Sequence, residues 1–181
     1  MLRLAALLLT LAAAATAHAS EGWEHFFTRG LGDFREELAD ARGAGKQGIV
    51  FIYQQEPCPY CERMKANILS RADVQKWYGP RFAAYAIDIR GSTAMTDFAG
   101  RKTTEGGYSR EALVHGAPVM DFYDLQGRLV ARVPGEIPHW KIFLALGDWV
   151  ASGAHAKQSF EQYRVARGLD TTPLKLNVFK P

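Results

Sequence analysis

The chain has 181 residues, 48% of them apolar and 12% aromatic, and a formal charge of +3 at pH 7. Such a composition excludes a disordered or fibrous chain. The basic residues are scattered, as in Arg63, Lys65, Arg71 and Lys76, which excludes the dense basic stripe of a nucleic-acid binder.

At the start, Arg3 is followed by an apolar run over 4–15 and then by "ATAHAS", with small residues at Ala17 and Ala19. This is the pattern of a secretory signal peptide, residues 1–19, with cleavage expected after Ala19. The run is shorter than the roughly 20 residues that span a bilayer. The remainder of the chain is long enough for one hydrophobic core and thin for two. A single domain over 20–153 is expected, with a C-terminal helix and tail over 154–181.

Trp23, Phe26, Phe27, Leu31, Phe34, Leu38 and Ala41 recur at near-helical spacing, split by Gly30 and Gly32 and ended by Gly43 and Gly45. "GIVFIYQQ" predicts a strand from Ile49 to Tyr53 buried on both faces. "CPYCERMKANILSR" predicts a helix with Pro59 at its first position and Met64, Ile68 and Leu69 facing inward. A shorter helix comes next in "ADVQKWYG", then a second strand, Arg81 to Ile89. Helix, strand, helix, strand in that order points to a parallel sheet with crossover helices.

The stretch 90–107 is polar and glycine-marked, an excursion with a small hairpin around "DFAGR". "YSREALVH" predicts a short helix. In "APVMDFYDLQGRLVARVPG" two alternating strands, Val119 to Tyr123 and Leu129 to Val133, flank a "DLQG" turn and predict a hairpin. "PHWKIFLALGDWVAS" returns to helical spacing at Trp140, Phe143, Leu144, Leu146 and Val150. One more helix is expected in "AHAKQSFEQYRVARG". The tail alternates at Leu174, Leu176 and Val178, as an edge strand or a loose end.

The chemistry concentrates in "EPCPYCERM", which holds both cysteines of the chain, Cys58 and Cys61. Residues three apart share a helix face, so the two sulfurs reach bonding geometry without backbone movement. A bridge over so short a loop removes little entropy from the unfolded chain, so stability explains the pair poorly. Cys58 falls at a helix N-terminus, where free N–H groups and the positive dipole end favour a thiolate. It is therefore the expected nucleophile, and Cys61 the thiol that attacks the mixed disulfide. Pro59 stiffens the turn, Tyr60 offers an aromatic ring beside the sulfur, and Glu56 and Glu62 oppose the thiolate. No cofactor and no metal is expected: His25, His115, His139 and His155 have no zinc-ligand spacing. Haem attachment needs a histidine where Glu62 stands, and an iron–sulfur cluster needs more cysteines. His115 reads as a helix-ending histidine facing solvent, with tuning of Cys58 as the alternative. Trp77, Tyr78, Trp140 and Trp149 read as core and edge aromatics.

"FIYQQEPCPYCERM" resembles the strand, loop and active-site helix of the thioredoxin superfamily, and "VHGAPVMDFYDLQGRLVARVPG" resembles its cis-proline loop, hairpin and following glycine. The resemblance runs from about Gly48 to Ser152. With its excursion before "GAPV" the chain is similar to the periplasmic thioredoxin-like branch that includes SoxW and the catalytic domains of the DsbC and DsbG type. The resemblance implies an α/β thioredoxin fold: a central mixed β-sheet flanked by helices, with an insertion before the cis-proline loop and a C-terminal helical extension. It implies a redox-active disulfide between Cys58 and Cys61, Pro118 as the cis-proline, and Ala117 with Pro118, Pro59 and Tyr60 on the substrate side. The implied activity is a periplasmic thiol–disulfide oxidoreductase acting on protein thiols and disulfides. A reductase is expected, monomeric and recharged by a membrane thiol transporter. A DsbA-like oxidase and a non-enzymatic binding module are the alternatives. Thioredoxins proper carry a buried Asp and a Trp where this chain has Ile52 and Pro57, so the proton from Cys61 needs another acceptor, water or Glu56.

Overall fold

The structure is a computed structural model that describes residues 22–171 and 173–179. The expected signal peptide and its cleavage point lie outside the described residues. The central sheet has the order β2-β1-β5-β6-β7, built from β1 (Gly48–Gln54), β2 (Phe82–Asp88), β5 (Val119–Tyr123), β6 (Leu129–Pro134) and β7 (Asn177–Val178). β1 and β2 run parallel, joined by a helical crossover, while β5, β6 and β7 each pair antiparallel with the strand before them in the sheet. The parallel pairing that element order predicts for the first two strands and the mixed sheet that the resemblance implies are both present. Helix–strand alternation stops at the hairpin, whose short Asp124–Arg128 turn permits only antiparallel pairing.

Side chains alternate across β1 and so divide the core in two. Val50 and Ile52 face a layer with Met64, Ile68, Leu69, Phe143, Leu146 and Trp149, all buried. Ile49, Phe51 and Tyr53 face the other layer with Phe34, Leu38, Tyr85 and Tyr123. This is why the strand reads as an unbroken apolar run: both of its faces are covered. Each large side chain so buried contributes about 1.5–3 kcal/mol. Gly48 opens the strand because a Cβ there would lie 2.2 Å from the carbonyl oxygen of Tyr123 on the neighbouring strand.

On the first layer lie α2 (Pro59–Met64), α3 (Ala72–Tyr78) and α5 (Trp140–Ala151). On the second lie α1 (Phe34–Gly43) and α4 (Glu105–Glu111). Asp33 starts α1 by accepting the N–H groups of Arg35 and Glu36. The N-terminal aromatic segment forms a 3₁₀ turn, Trp23–Phe26, separate from α1. After Met64 the active-site helix widens into a π-helical turn, Lys65–Leu69, which apolar spacing does not signal.

The excursion holds the expected hairpin, β3 (Ala94–Thr96) with β4 (Lys102–Thr104). α4 begins at Glu105, three residues earlier than the sequence predicts, because the Thr104 hydroxyl caps it by accepting the Gly107 N–H. Ala112, the residue that caps its C-terminus, is tied to the sheet through a carbonyl that accepts Arg132 Nη1–H at 2.7 Å. Arg132 also forks onto Asp121, at 2.7 and 2.6 Å, and Asp121 is fully buried. Beyond α5, the single helix expected is broken into a 3₁₀ turn, Ala154–Ala156, and α6 (Phe160–Val165). Ser159 and Gln162 form a capping box at α6 that fixes its start. The tail supplies a two-residue edge strand, β7, against Ala131 and Arg132.

Candidate redox site

β1 ends at Gln54, and the loop to α2 contains a cis Glu56–Pro57 bond. Cys58 is the N-cap of α2, in non-helical conformation, with Pro59 at the first helical position. Its Sγ accepts the N–H of Cys61 at 3.1 Å, so the sulfur itself satisfies one of the helix's free donors. Cys58 and Cys61 are disulfide-bonded, S–S 2.09 Å, with their Cα atoms 5.2 Å apart. Both are largely buried, at 6% and 4% exposure.

Facing the disulfide is the loop into β5. The Ala117–Pro118 bond is cis, the isomer that the resemblance implies, and the Ala117 carbonyl oxygen lies 3.7 Å from Cys58 Sγ. Pro118 is buried beside Cys61, and its carbonyl accepts the Gly135 N–H at 2.9 Å. The structure thus brings Cys58, Cys61, Ala117 and Pro118 together from two distant stretches of sequence. Pro59 and Tyr60 lie on the exposed rim, Tyr60 at 53% exposure. An open hollow beside Cys58 is walled by Glu56, Pro57, Pro59 and Glu62. His115 is exposed on the loop before Ala117.

Three features of the site carried no signal in spacing. Arg63, on α2, forks onto Glu136 with Nε and Nη2 at 3.0 and 2.8 Å, and its guanidinium covers the Tyr60 ring at 4.5 Å. Glu136 directly follows Gly135, so the active-site helix is strapped to the loop that braces Pro118. Lys65 is buried, bonded to Glu62 at 2.8 Å, with its ammonium 4.4 Å over the Trp23 ring. A small cavity beneath the disulfide is lined by Cys61, Lys65, Pro118, Gln54, Met64 and Ile52. Ile52 fills the place of the thioredoxin Asp with a hydrocarbon, 4% exposed. Among the described residues, no group of three or more His, Cys, Asp or Glu side chains is placed to hold a metal ion.

A disulfide closed between a helix N-cap and the residue one turn on, beside an accessible backbone carbonyl, is the equipment for thiol–disulfide exchange. The sequence matches the Thioredoxin-like domain family over residues 34–148. No curated protein matches it. Among solved structures, a thioredoxin-fold protein from Helicobacter pylori superposes with a TM-score of 0.65 at 17% identity, over 82% of this chain and 96% of that one. A thioredoxin from Thermus thermophilus is 26% identical with a TM-score of 0.50, over 65% of this chain and 83% of that one. A protein described as DsbH oxidoreductase is 17% identical with a TM-score of 0.53, over 82% and 95%.

Proposed function

The chain belongs to the thioredoxin-like domain family, and from that premise we propose that it is an exported thiol–disulfide oxidoreductase that reduces protein disulfides. One observation carries the reading: the Cys58–Cys61 disulfide sits at the start of α2 against the Ala117 carbonyl. In the reduced enzyme the Cys58 thiolate attacks a substrate disulfide, forming a Cys58–substrate bond and expelling the second substrate sulfur. Cys61 then attacks Cys58 Sγ, closes the bridge and releases the first substrate sulfur. Two electrons pass to the substrate, and a membrane thiol transporter returns them to the pair. An extended substrate segment lies along Ala117 and Pro118, with Pro59 and Tyr60 at its edge.

The reductive direction is supported by the resemblance to SoxW and by the acidic Glu56 and Glu62 beside Cys58, which oppose its thiolate. Oxidase action is the second reading, favoured by the Cys61 N–H that points at Cys58 Sγ, since a stabilised thiolate makes the reduced form favourable. Periplasmic location rests on the signal-peptide pattern of residues 1–19. Among the described residues no helix is long and apolar enough to cross a membrane. The protein is taken as a monomer of two parts, a thioredoxin-like domain over 20–153 and an extension over 154–181. The reading is tested by exchange with a model protein disulfide: wild type turns over, and Cys58→Ser does not. Wild-type rates in Cys58→Ser would overturn it, and undiminished partner capture by a protein lacking both cysteines would favour a binding module. Mass analysis of the exported protein tests cleavage after Ala19.

A further inference from the structure

Resolution of the mixed disulfide requires Cys61 to ionise while 4% exposed, and burial raises a thiol's pKa. Among the described residues, those that line the cavity beside it include Ile52 and no carboxylate. We infer that Lys65 is the positioning residue that supplies the missing charge, holding an ammonium beneath Cys61 so that this thiol can lose its proton. The inference rests on the oxidoreductase reading for its purpose, though not for its test.

The geometry is local. Lys65 follows Cys61 by one helical turn, its N–H donating to the Cys61 carbonyl, so the two side chains share a face. Both line the cavity under the disulfide, with Pro118 as its other wall. The Lys65 ammonium is held from two sides, by the Glu62 carboxylate at 2.8 Å and by the Trp23 ring at 4.4 Å. Glu62 opposes Lys65 electrostatically, but the two are not equal. The Lys65 side chain is 11% exposed and that of Glu62 is 62% exposed, so water screens the carboxylate more than the ammonium.

Other charges around Cys61 are few. On its own helix are Cys58, Glu62 and Arg63, the last paired with Glu136, and the preceding loop carries the exposed Glu56. β1 contributes Tyr53, which lines the cavity while its ring packs in the opposite layer; it stays neutral, since burial and Asp121 push its phenol well above the usual range. The N-terminal turn carries Glu24 and His25, both exposed, and the Ala117–Pro118 loop has no charge of its own beside the exposed His115.

In the resolving step the Cys61 S–H gives its proton to solvent, and the thiolate forms the Cys58–Cys61 bond as the Cys58–substrate bond breaks. The departing substrate thiolate takes a proton from solvent. Lys65 is not consumed.

The test is a pH titration of the Cys61 thiolate by its ultraviolet absorbance in reduced Cys58→Ser protein, with Lys65 intact or replaced by Met, Gln or Arg. The Met and Gln variants keep much of the buried stem, so either one that folds suffices. The expected result is an upward shift of about one pH unit for Met and Gln, and none for Arg. An unchanged midpoint in the Met or Gln variant would overturn the assignment, as would a shift that Arg fails to reverse. This readout needs no exchange activity. A shifted titration in a protein that exchanges no disulfides would therefore leave Lys65 in place and remove the enzyme reading, and the converse pair of results would do the reverse.

Discussion

Cys58 Sγ lies 3.7 Å from the carbonyl oxygen of Ala117, 59 residues away in the chain. The sulfur that would attack a substrate disulfide and the backbone that would align a substrate strand thus share one strip of surface. Because Cys58 sits at the helix cap and Cys61 one turn deeper, the two have different expected parts. Cys58→Ser should abolish exchange, whereas Cys61→Ser should form mixed disulfides that do not resolve. Non-reducing gels of each reduced variant with disulfide-bearing partners check this, and equal trapping by both would contradict the assignment.

Arg63 and Glu136 are expected to matter more to substrate than to folding. Both side chains are partly solvated, at 49% and 26% exposure, so the ion pair adds little stability. Yet it fixes Tyr60 and the loop after Gly135 around the cysteines. Arg63→Ala should leave the unfolding midpoint nearly unchanged and raise KM for a protein disulfide several-fold. Steady-state kinetics beside thermal melting separates the two effects.

Much of this arrangement was legible in the sequence because periodicity reports burial. β1, α2, α3, β5, β6 and α5 appear where apolar spacing places them, and Pro59 marks the start of α2. Element order reports crossovers, so it gave the parallel pairing of β1 and β2, while the turn residues of "DLQG" gave the antiparallel hairpin. Caps moved helix ends, as Thr104 did for α4 and Ser159 for α6. The cysteine pair was legible from spacing, but Pro118 was placed only by resemblance. The Lys65–Glu62–Trp23 group was not legible at all. Lys65 looks like a solvated surface residue until the π-helical turn and the Trp23 segment are seen to bury it.

Asp121 and Arg132 form a salt bridge inside the sheet, with side-chain exposures of 0% and 13%. Removing one partner strands the other. Arg132→Met should therefore cost about 3–5 kcal/mol, and adding Asp121→Leu should recover part of it. Urea unfolding of the single and double variants measures both steps.

Gly147, inside α5, should resist replacement by alanine. Helix propensity favours Ala by about 1 kcal/mol. However, a Cβ there would sit 2.6 Å from Trp77 Cζ3 and 2.7 Å from Tyr78 Cζ. Tyr78 cannot withdraw, because it stacks on Phe143 and donates its hydroxyl to the Phe143 carbonyl at 2.6 Å. Overpacking should prevail, with a net loss of about 1–3 kcal/mol in chemical unfolding.

Glu105 begins α4 partly buried, and burial, aided by the nearby Asp88 carboxylate, raises its pKa above the usual value. The folded state then holds its proton more tightly than the unfolded state does. Stability from this group is full below the unfolded pKa and is lost as pH rises through the raised folded pKa. Glu105→Gln should therefore stabilise the protein at neutral pH and leave it unchanged in acid below both pKa values. Unfolding midpoints at the two pH values decide this.

The most direct test of redox function is equilibration of the Cys58–Cys61 pair with graded dithiothreitol or glutathione buffers. The account predicts reversible two-electron titration of a folded protein near about −270 mV, in the range of a reductase. A potential near about −120 mV would contradict the reductive direction, and a disulfide that does not titrate reversibly would contradict redox function itself.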